Sequence, residues 1–229
     1  MIRRAILCLL VPLLVYPAIA VAKPYVTAAD LDLTAFLPAP AKAGSDEDKA
    51  QQAEVLTAQK DVSPERVALA RADADQSVFD MYTRTFGPWF SAQALPKTAS
   101  LFARVGESED ATLDPAKPFY GRTRPFLTNP DIKPLVRPSI SGSYPSGHAT
   151  RVTAVAIILA SMLPEKRDTI WDRAREYAFS RVVGGVHHVA DIEAGYRAGS
   201  ALAAAVMSNS EFKADYPGVR AELRAAFGL

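Results

Sequence analysis

Cysteine is nearly missing from this chain of 229 residues: Cys8 is the only one, and it lies within an apolar run near the N-terminus. A chain that loses this segment forms no disulfide, which excludes a small stapled scaffold and demands a self-sufficient core. A charge excess is missing too, with 26 basic against 25 acidic residues, whereas nucleic-acid binding needs a strong basic surplus. Alternating Val/Ile/Thr runs of the β type are lacking, and no internal repeat is visible, so the periodicity points to an all-α domain. Histidine is scarce: His148, His187 and His188 are the only three, and they fall inside two short motifs. Histidine used only for packing would be scattered.

The first residues predict a secretory signal over 1–22. Arg3 and Arg4 start it, Ala5 to Val15 form its apolar stretch, and Ala20-Val21-Ala22 offers a small-x-small cleavage site. Cys8 lies too deep in that stretch for lipid attachment, and the stretch is short for an uncleaved anchor of ~20 residues. Cleavage after Ala22 leaves 24 basic and 25 acidic residues in a chain of about 207, a size for one domain over 23–229. The expectation is an exported protein, periplasmic or secreted, with no stable membrane insertion of the mature chain. A homo-oligomer stays open.

Residues 23–44, rich in Pro and Ala, predict an extended arm that lays Leu31, Leu33, Phe36 and Leu37 against the body. Ser45 caps a helix to about Gln59, and Ser63-Pro64-Glu65 opens another that reaches Phe86 before Gly87-Pro88 stops it. A helix from about Leu95 to Val105 precedes residues 106–145, read as a long ordered connection because seven prolines follow Asp114 there. From His148 to Leu163 every face is apolar, the mark of a helix at the centre of a bundle. Pro164-Glu165 begins the next helix, which runs into Ser180-Arg181 and breaks near Gly184-Gly185. An alanine-rich helix follows over 188–208, and one or two short helices end near Ala226-Phe227. The predicted fold is a single-domain all-α helical bundle around the central buried helix.

Two histidine motifs and a cationic stretch carry the chemistry. A helix starting near His187 puts His187 and Asp191, four apart, on one face. Asp191 then accepts from Nδ1 and leaves Nε2 free as a nucleophile. The same carboxylate stabilises the cation formed once that nitrogen is phosphorylated. His188, three before Asp191, is not excluded by spacing. Ser180-Arg181 grips the phosphate, with Arg181 presenting a planar fork to its oxygens. Ser146 and Gly147 lead into the core helix, whose free N–H groups hold anions, and His148 is placed to protonate a leaving alkoxide. Lys117 and Arg124 add positive charge for a transferring phosphoryl group. Arg122 has no claim beyond surface charge or a supporting role.

The order Lys117, six residues, Arg124-Pro125, then Pro145-Ser146-Gly147-His148, then Ser180-Arg181 with His187 and Asp191, resembles the three-part signature of the PAP2 phosphatase superfamily. Gly142-Ser143-Tyr144, the Phe36-Leu37-Pro38-Ala39-Pro40 segment and the helical layout further resemble the secreted bacterial class A non-specific acid phosphatases. Ala149 departs from the threonine usual in that subgroup. The resemblance implies a PAP2/haloperoxidase-like fold and hydrolysis of phosphate monoesters with broad specificity through a phosphohistidine. It implies His187 as nucleophile, Asp191 as its orienting carboxylate and His148 as general acid. Lys117, Arg124, Arg181, Ser146 and the Gly147 amide become the phosphoryl-binding groups. No metal and no cofactor is implied, the partners are small-molecule phosphate monoesters, and an alcohol that outcompetes water receives the phosphoryl group instead. Alternatives are a vanadate-dependent haloperoxidase-like enzyme, a membrane lipid phosphatase and a phosphate-binding module without turnover. Haloperoxidase chains are typically much longer, the lipid enzymes need several spans, and a complete nucleophile-plus-acid set argues against a bare binding module.

Overall fold

A computed structural model describes residues 22–229, so the predicted signal segment lies, but for Ala22, outside the described residues. Serine caps set the first boundaries. Ser45, Ser63 and Ser77 each accept a hydrogen bond from the backbone N–H three residues on, opening α1 (Asp46–Gln59), α2 (Pro64–Ala72) and α3 (Val78–Phe86). The helix predicted from Pro64 to Phe86 is therefore two. Asp80 accepts in return from the Ser77 N–H, and this capping box restarts the chain after a break at Asp73–Gln76.

The largest departure from expectation is α4 (Pro96–Tyr120), which continues well past Val105 and through Pro115 and Pro118. A proline in a helix interior costs ~3 kcal/mol. Both prolines face solvent here, while Leu113 and Ala116 on the opposite face pack with Leu33, Leu37 and Ala198 and keep the last turns helical. Gly121, at φ 58°, takes the left-handed conformation that ends the helix. After the single turn α5 (Pro125–Thr128) come α6 (Gly147–Met162), α7 (Arg167–Val183), α8 (Val189–Ser208) and α9 (Ser210–Ala226). The tail is thus one helix that passes through Pro217.

No strand occurs among the described residues, and the bundle is all-α around α6. Val152, Val155, Ile158, Leu159 and Met162 of α6 are buried, as the all-round apolar pattern requires. Against it lies α8, brought close by two glycines. A Cβ on Gly195 would come within 2.6 Å of the Ala149 Cβ and 2.8 Å of the Ser146 carbonyl, and one on Gly199 would overlap the Thr150 carbonyl oxygen. The N-terminal arm buries Tyr25, Val26, Leu33 and Leu37 and half-buries Leu31, but Phe36 is 47% exposed and does not pack as predicted. No helix among the described residues is long and apolar enough to cross a membrane.

Candidate active site

The C-terminal half of α4, the start of α6, the end of α7 and the turn before α8 meet at one end of the bundle. With Gln76, Arg124, Ser139 and Ser141 from the connecting segments they enclose a cavity of about 190 Å³. Of the residues singled out in the sequence, Lys117, Arg124, Gly147, His148, Arg181 and His187 line it. Ser146 and Asp191 stand behind that lining. The Ser146 hydroxyl caps α6, accepting from the Ala149 N–H at 3.5 Å, and Asp191 is fully buried.

His187 does not lie on the helix with Asp191, contrary to the expectation from spacing. It occupies the turn before α8, and His188, in extended conformation, is the N-cap. Asp191, in the first turn, reaches back instead. Its Oδ2 accepts the His188 N–H at 2.8 Å and lies 3.4 Å from His187 Nδ1 and 3.3 Å from His188 Nδ1. Burial pushes this carboxyl up, but the adjacent imidazoles of His187 and His188 and the charge of Arg122 outweigh it and hold Asp191 below the usual carboxylate range. On the far side of the His187 ring, Arg124 Nη1 is 3.3 Å from Nε2. A guanidinium has only protons to offer, so Nε2 carries the lone pair and Nδ1 the proton. Burial lowers the His187 pKa to about 3, the nearby Arg124 and Lys117 assisting and Asp191 opposing. The ring is therefore neutral, with its unprotonated nitrogen turned to the cavity's cations.

Those cations have no carboxylate partners among the described residues. Arg124 is fixed by carbonyl groups, donating from Nε to Ser141 at 2.9 Å and from Nη1 to Val186 at 2.8 Å. Burial and the neighbouring Arg181 pull its pKa down to about 10. Lys117 donates to the Ser141 hydroxyl at 3.3 Å, and it too is lowered, first by burial and then by Arg124. Arg181 is buried with Nε and Nη1 free of any hydrogen-bond partner. Buried donors are almost always satisfied; these two match an anion seated in the cavity.

His148 is held from a different quarter. Its Nε2 lies 3.0 Å from the Ala74 carbonyl, in the break between α2 and α3, and its ring stacks on Tyr177 at 5.8 Å. Burial and Arg181 push its pKa well below the ordinary histidine value, and the Ala74 bond opposes them by favouring a protonated ring. The break is itself clamped to α7. Asp73 pairs with Arg173 and accepts from the Ser180 hydroxyl at 2.6 Å, and Tyr177 donates to the Asp75 carbonyl at 2.6 Å. Ser180 is thus part of the clamp rather than of the grip on phosphate assigned to it with Arg181.

Two further side chains take part: Arg122, which the sequence allowed only surface charge or a supporting role, and Glu109, which sequence reasoning missed. Arg122 is buried and donates to Asp191 Oδ1 at 2.7 Å. The segment Gly121–Arg124 is non-helical, and residues two apart in an extended segment face the same way. Arg122 and Arg124 are both buried between exposed Gly121 and Thr123, so their spacing after a helix-ending glycine was the available signal. Glu109 also lines the cavity, paired with Arg151 at 2.6 Å across α4 and α6; nothing local in the sequence marks that pair.

The PAP2 superfamily matches residues 101–214, a span that contains Lys117, Arg124, Gly147, His148, Arg181, His187 and Asp191. The chain is 35% identical over 171 residues to an acid phosphatase of Zymomonas mobilis subsp. mobilis, covering 70% of this chain and 64% of that one. It is 30% identical over 196 residues to a non-specific acid phosphatase of Providencia stuartii, covering 80% and 77%. A non-specific acid phosphatase of Salmonella typhimurium is 32% identical over 168 residues, covering 67% and 65%. The chain therefore spans just under two thirds of the Zymomonas and Salmonella relatives. Among solved structures, a bacterial vanadium-dependent iodoperoxidase superposes with a TM-score of 0.55 at 20% identity, over 75% of this chain and 52% of that one, and shares the fold. Joined to the ordered signature from Lys117 to Asp191, these similarities show that the chain belongs to the PAP2 superfamily.

Proposed function

We propose that this protein is an exported acid phosphatase that hydrolyses phosphate monoesters of broad structure through a phosphohistidine, without a metal. The reading rests on one observation: a neutral His187 whose Nε2 lone pair faces a cavity with three cations, Lys117, Arg124 and Arg181, none of them in an ion pair with a carboxylate among the described residues. The ester's phosphoryl oxygens sit among these cations, the Gly147 N–H at the α6 start and the Ser146 hydroxyl. His187 Nε2 attacks phosphorus, a P–N bond forms, and the P–O bond to the leaving alcohol breaks. His148, protonated when the dianion binds, gives its proton to the departing oxygen. Asp191 holds the His187 Nδ1–H and stabilises the ring as it becomes cationic. Water then attacks the phosphohistidine, giving up a proton to His148, and inorganic phosphate leaves; an alcohol in place of water gives phosphotransfer. The apolar segment over 1–22 supports export, with the periplasm or the exterior as the working compartment.

The low pKa of His187 suits acidic conditions, because an exposed imidazole would be protonated and useless as a nucleophile below about pH 6. The test is His187→Ala. The variant is expected to retain the helical fold by circular dichroism and to release no phosphate from an aryl phosphate. Wild-type turnover in the variant would contradict the reading.

A further inference from the structure

Inside the cavity sits a carboxyl group that the reaction above does not use. Glu109, on α4, is 1% exposed and abuts the phosphate-side glycine: its Oε1 would be 3.0 Å from a Cβ placed on Gly147. The two oxygens of this carboxyl are unequal. Oε2 accepts Arg151 Nε at 2.9 Å and Nη2 at 2.6 Å, whereas Oε1 is buried with no hydrogen-bond partner. An unmatched buried polar atom destabilises the fold. A ligand oxygen arriving in the cavity removes that cost if Oε1 carries a proton.

We propose that Glu109 is a substrate-binding residue, which in its neutral form donates a hydrogen bond from Oε1 to an oxygen of the bound phosphate ester. The proposal rests on the phosphatase reading and adds to it an uncharged donor on α4 beside the cation Lys117. Charge supports the neutral form. Burial raises Glu109 to about 7, with Arg151 pulling the other way and Asp110 adding to the rise. The remaining charged or titratable groups around the cavity are Asp114 and Lys117 of α4, Arg124 before α5, His148 of α6, Arg181 of α7 and His187 before α8. Asp110 is itself paired with Arg151 at 2.9 Å. Below about pH 7 Oε1–H donates, and above it a carboxylate faces the dianionic ester and repels it. Substrate affinity then falls in neutral and alkaline medium, while the chemical step on bound ester is less affected.

The experiment compares wild type with Glu109→Gln, whose amide is the same shape, donates, and never ionises. KM and kcat for an aryl phosphate, and inhibition by inorganic phosphate, are measured from about pH 5 to 9. In wild type KM rises above about pH 7, approaching tenfold per unit for a single ionisation; in Glu109→Gln that rise is absent. Arg151→Met removes the charge that lowers Glu109 and moves the rise to higher pH. Superimposable KM profiles for wild type and Glu109→Gln, or an unmoved rise in Arg151→Met, overturn the proposal. A purely structural Glu109–Arg151 pair would lower the melting temperature in both variants and leave the pH course of KM alone, which also overturns it. Wild type that turns over no ester at all would instead sink the phosphatase reading.

Discussion

Arg122→Met removes the one cation bonded to the Asp191 carboxylate among the described residues while keeping much of the side chain's length. Arg122 Nη1 is 2.7 Å from Asp191 Oδ1, with the two side chains 5% and 0% exposed. The guanidinium also donates to Gln51 and lies 3.7 Å from Asp48, so it ties α1 to the active-site end of α8. Removing one member of a buried ion pair costs about 3–5 kcal/mol, because the other charge is left without compensation. For a domain of this size each kcal/mol moves the midpoint by about 2–4 °C, so the melting temperature falls by about 6–20 °C. Activity falls as well, since Asp191 without its anchor no longer fixes the His187 ring, and a misplacement of about 1 Å can cost up to ~100-fold. Thermal melts of Arg122→Met, Asp191→Asn and the double variant form a cycle that isolates the pair. The coupling is expected at the upper end of about 0.5–3 kcal/mol. Additive losses, or a single variant melting within about 1 °C of wild type, would refute the reasoning.

Two further outcomes follow from burial and packing. Histidine-selective nitrogen NMR of the free protein should show His187 neutral, with the proton on Nδ1, down to about pH 3. The unfolded chain binds that proton below about 6.5, so this group lowers stability as pH falls from there towards 3; a ring titrating near the unperturbed value would contradict the burial argument. Gly199→Ala drives a methyl into the Thr150 carbonyl and to 2.6 Å from the Thr153 Cβ, prying α8 from α6. Overpacking of this kind costs about 1–3 kcal/mol, read as a lower denaturant midpoint; an unchanged midpoint would show that the two helices have room to spare.

How much of this was legible in the sequence depended on whether the signal was local. Ser45 and Ser63 announced helices because capping is settled within four residues, and the all-round apolar stretch after His148 read as a core helix rather than a membrane span because it is short and carries Arg151 in its first turn. The residues around Lys117, Pro145 and Ser180 named the cavity because they recur in a fixed order. Pro115 and Pro118 misled: their local cost is real, but the packing of Leu113 and Ala116 that overrides it comes from Leu33, Leu37 and Ala198, far away in sequence. The break at Asp73–Gln76 was hidden for a similar reason, since α7 clamps it through Arg173, Tyr177 and Ser180. It is also where the cavity gains Gln76 and where Ala74 holds His148. Asp191 meets both histidines not along a helix face, as spacing suggested, but by reaching back from the first turn to an extended N-cap. Arg122 and Glu109 find their partners only in three dimensions.

The proposed reaction turns on a covalent step at one nitrogen, His187 Nε2. Wild-type protein mixed with excess aryl phosphate and quenched in alkali, where phosphohistidine survives, can be digested and read by mass spectrometry. One added phosphoryl group is expected on the peptide carrying His187 and His188, with fragmentation placing it on His187. Turnover with no adduct, or an adduct on His188, would contradict it.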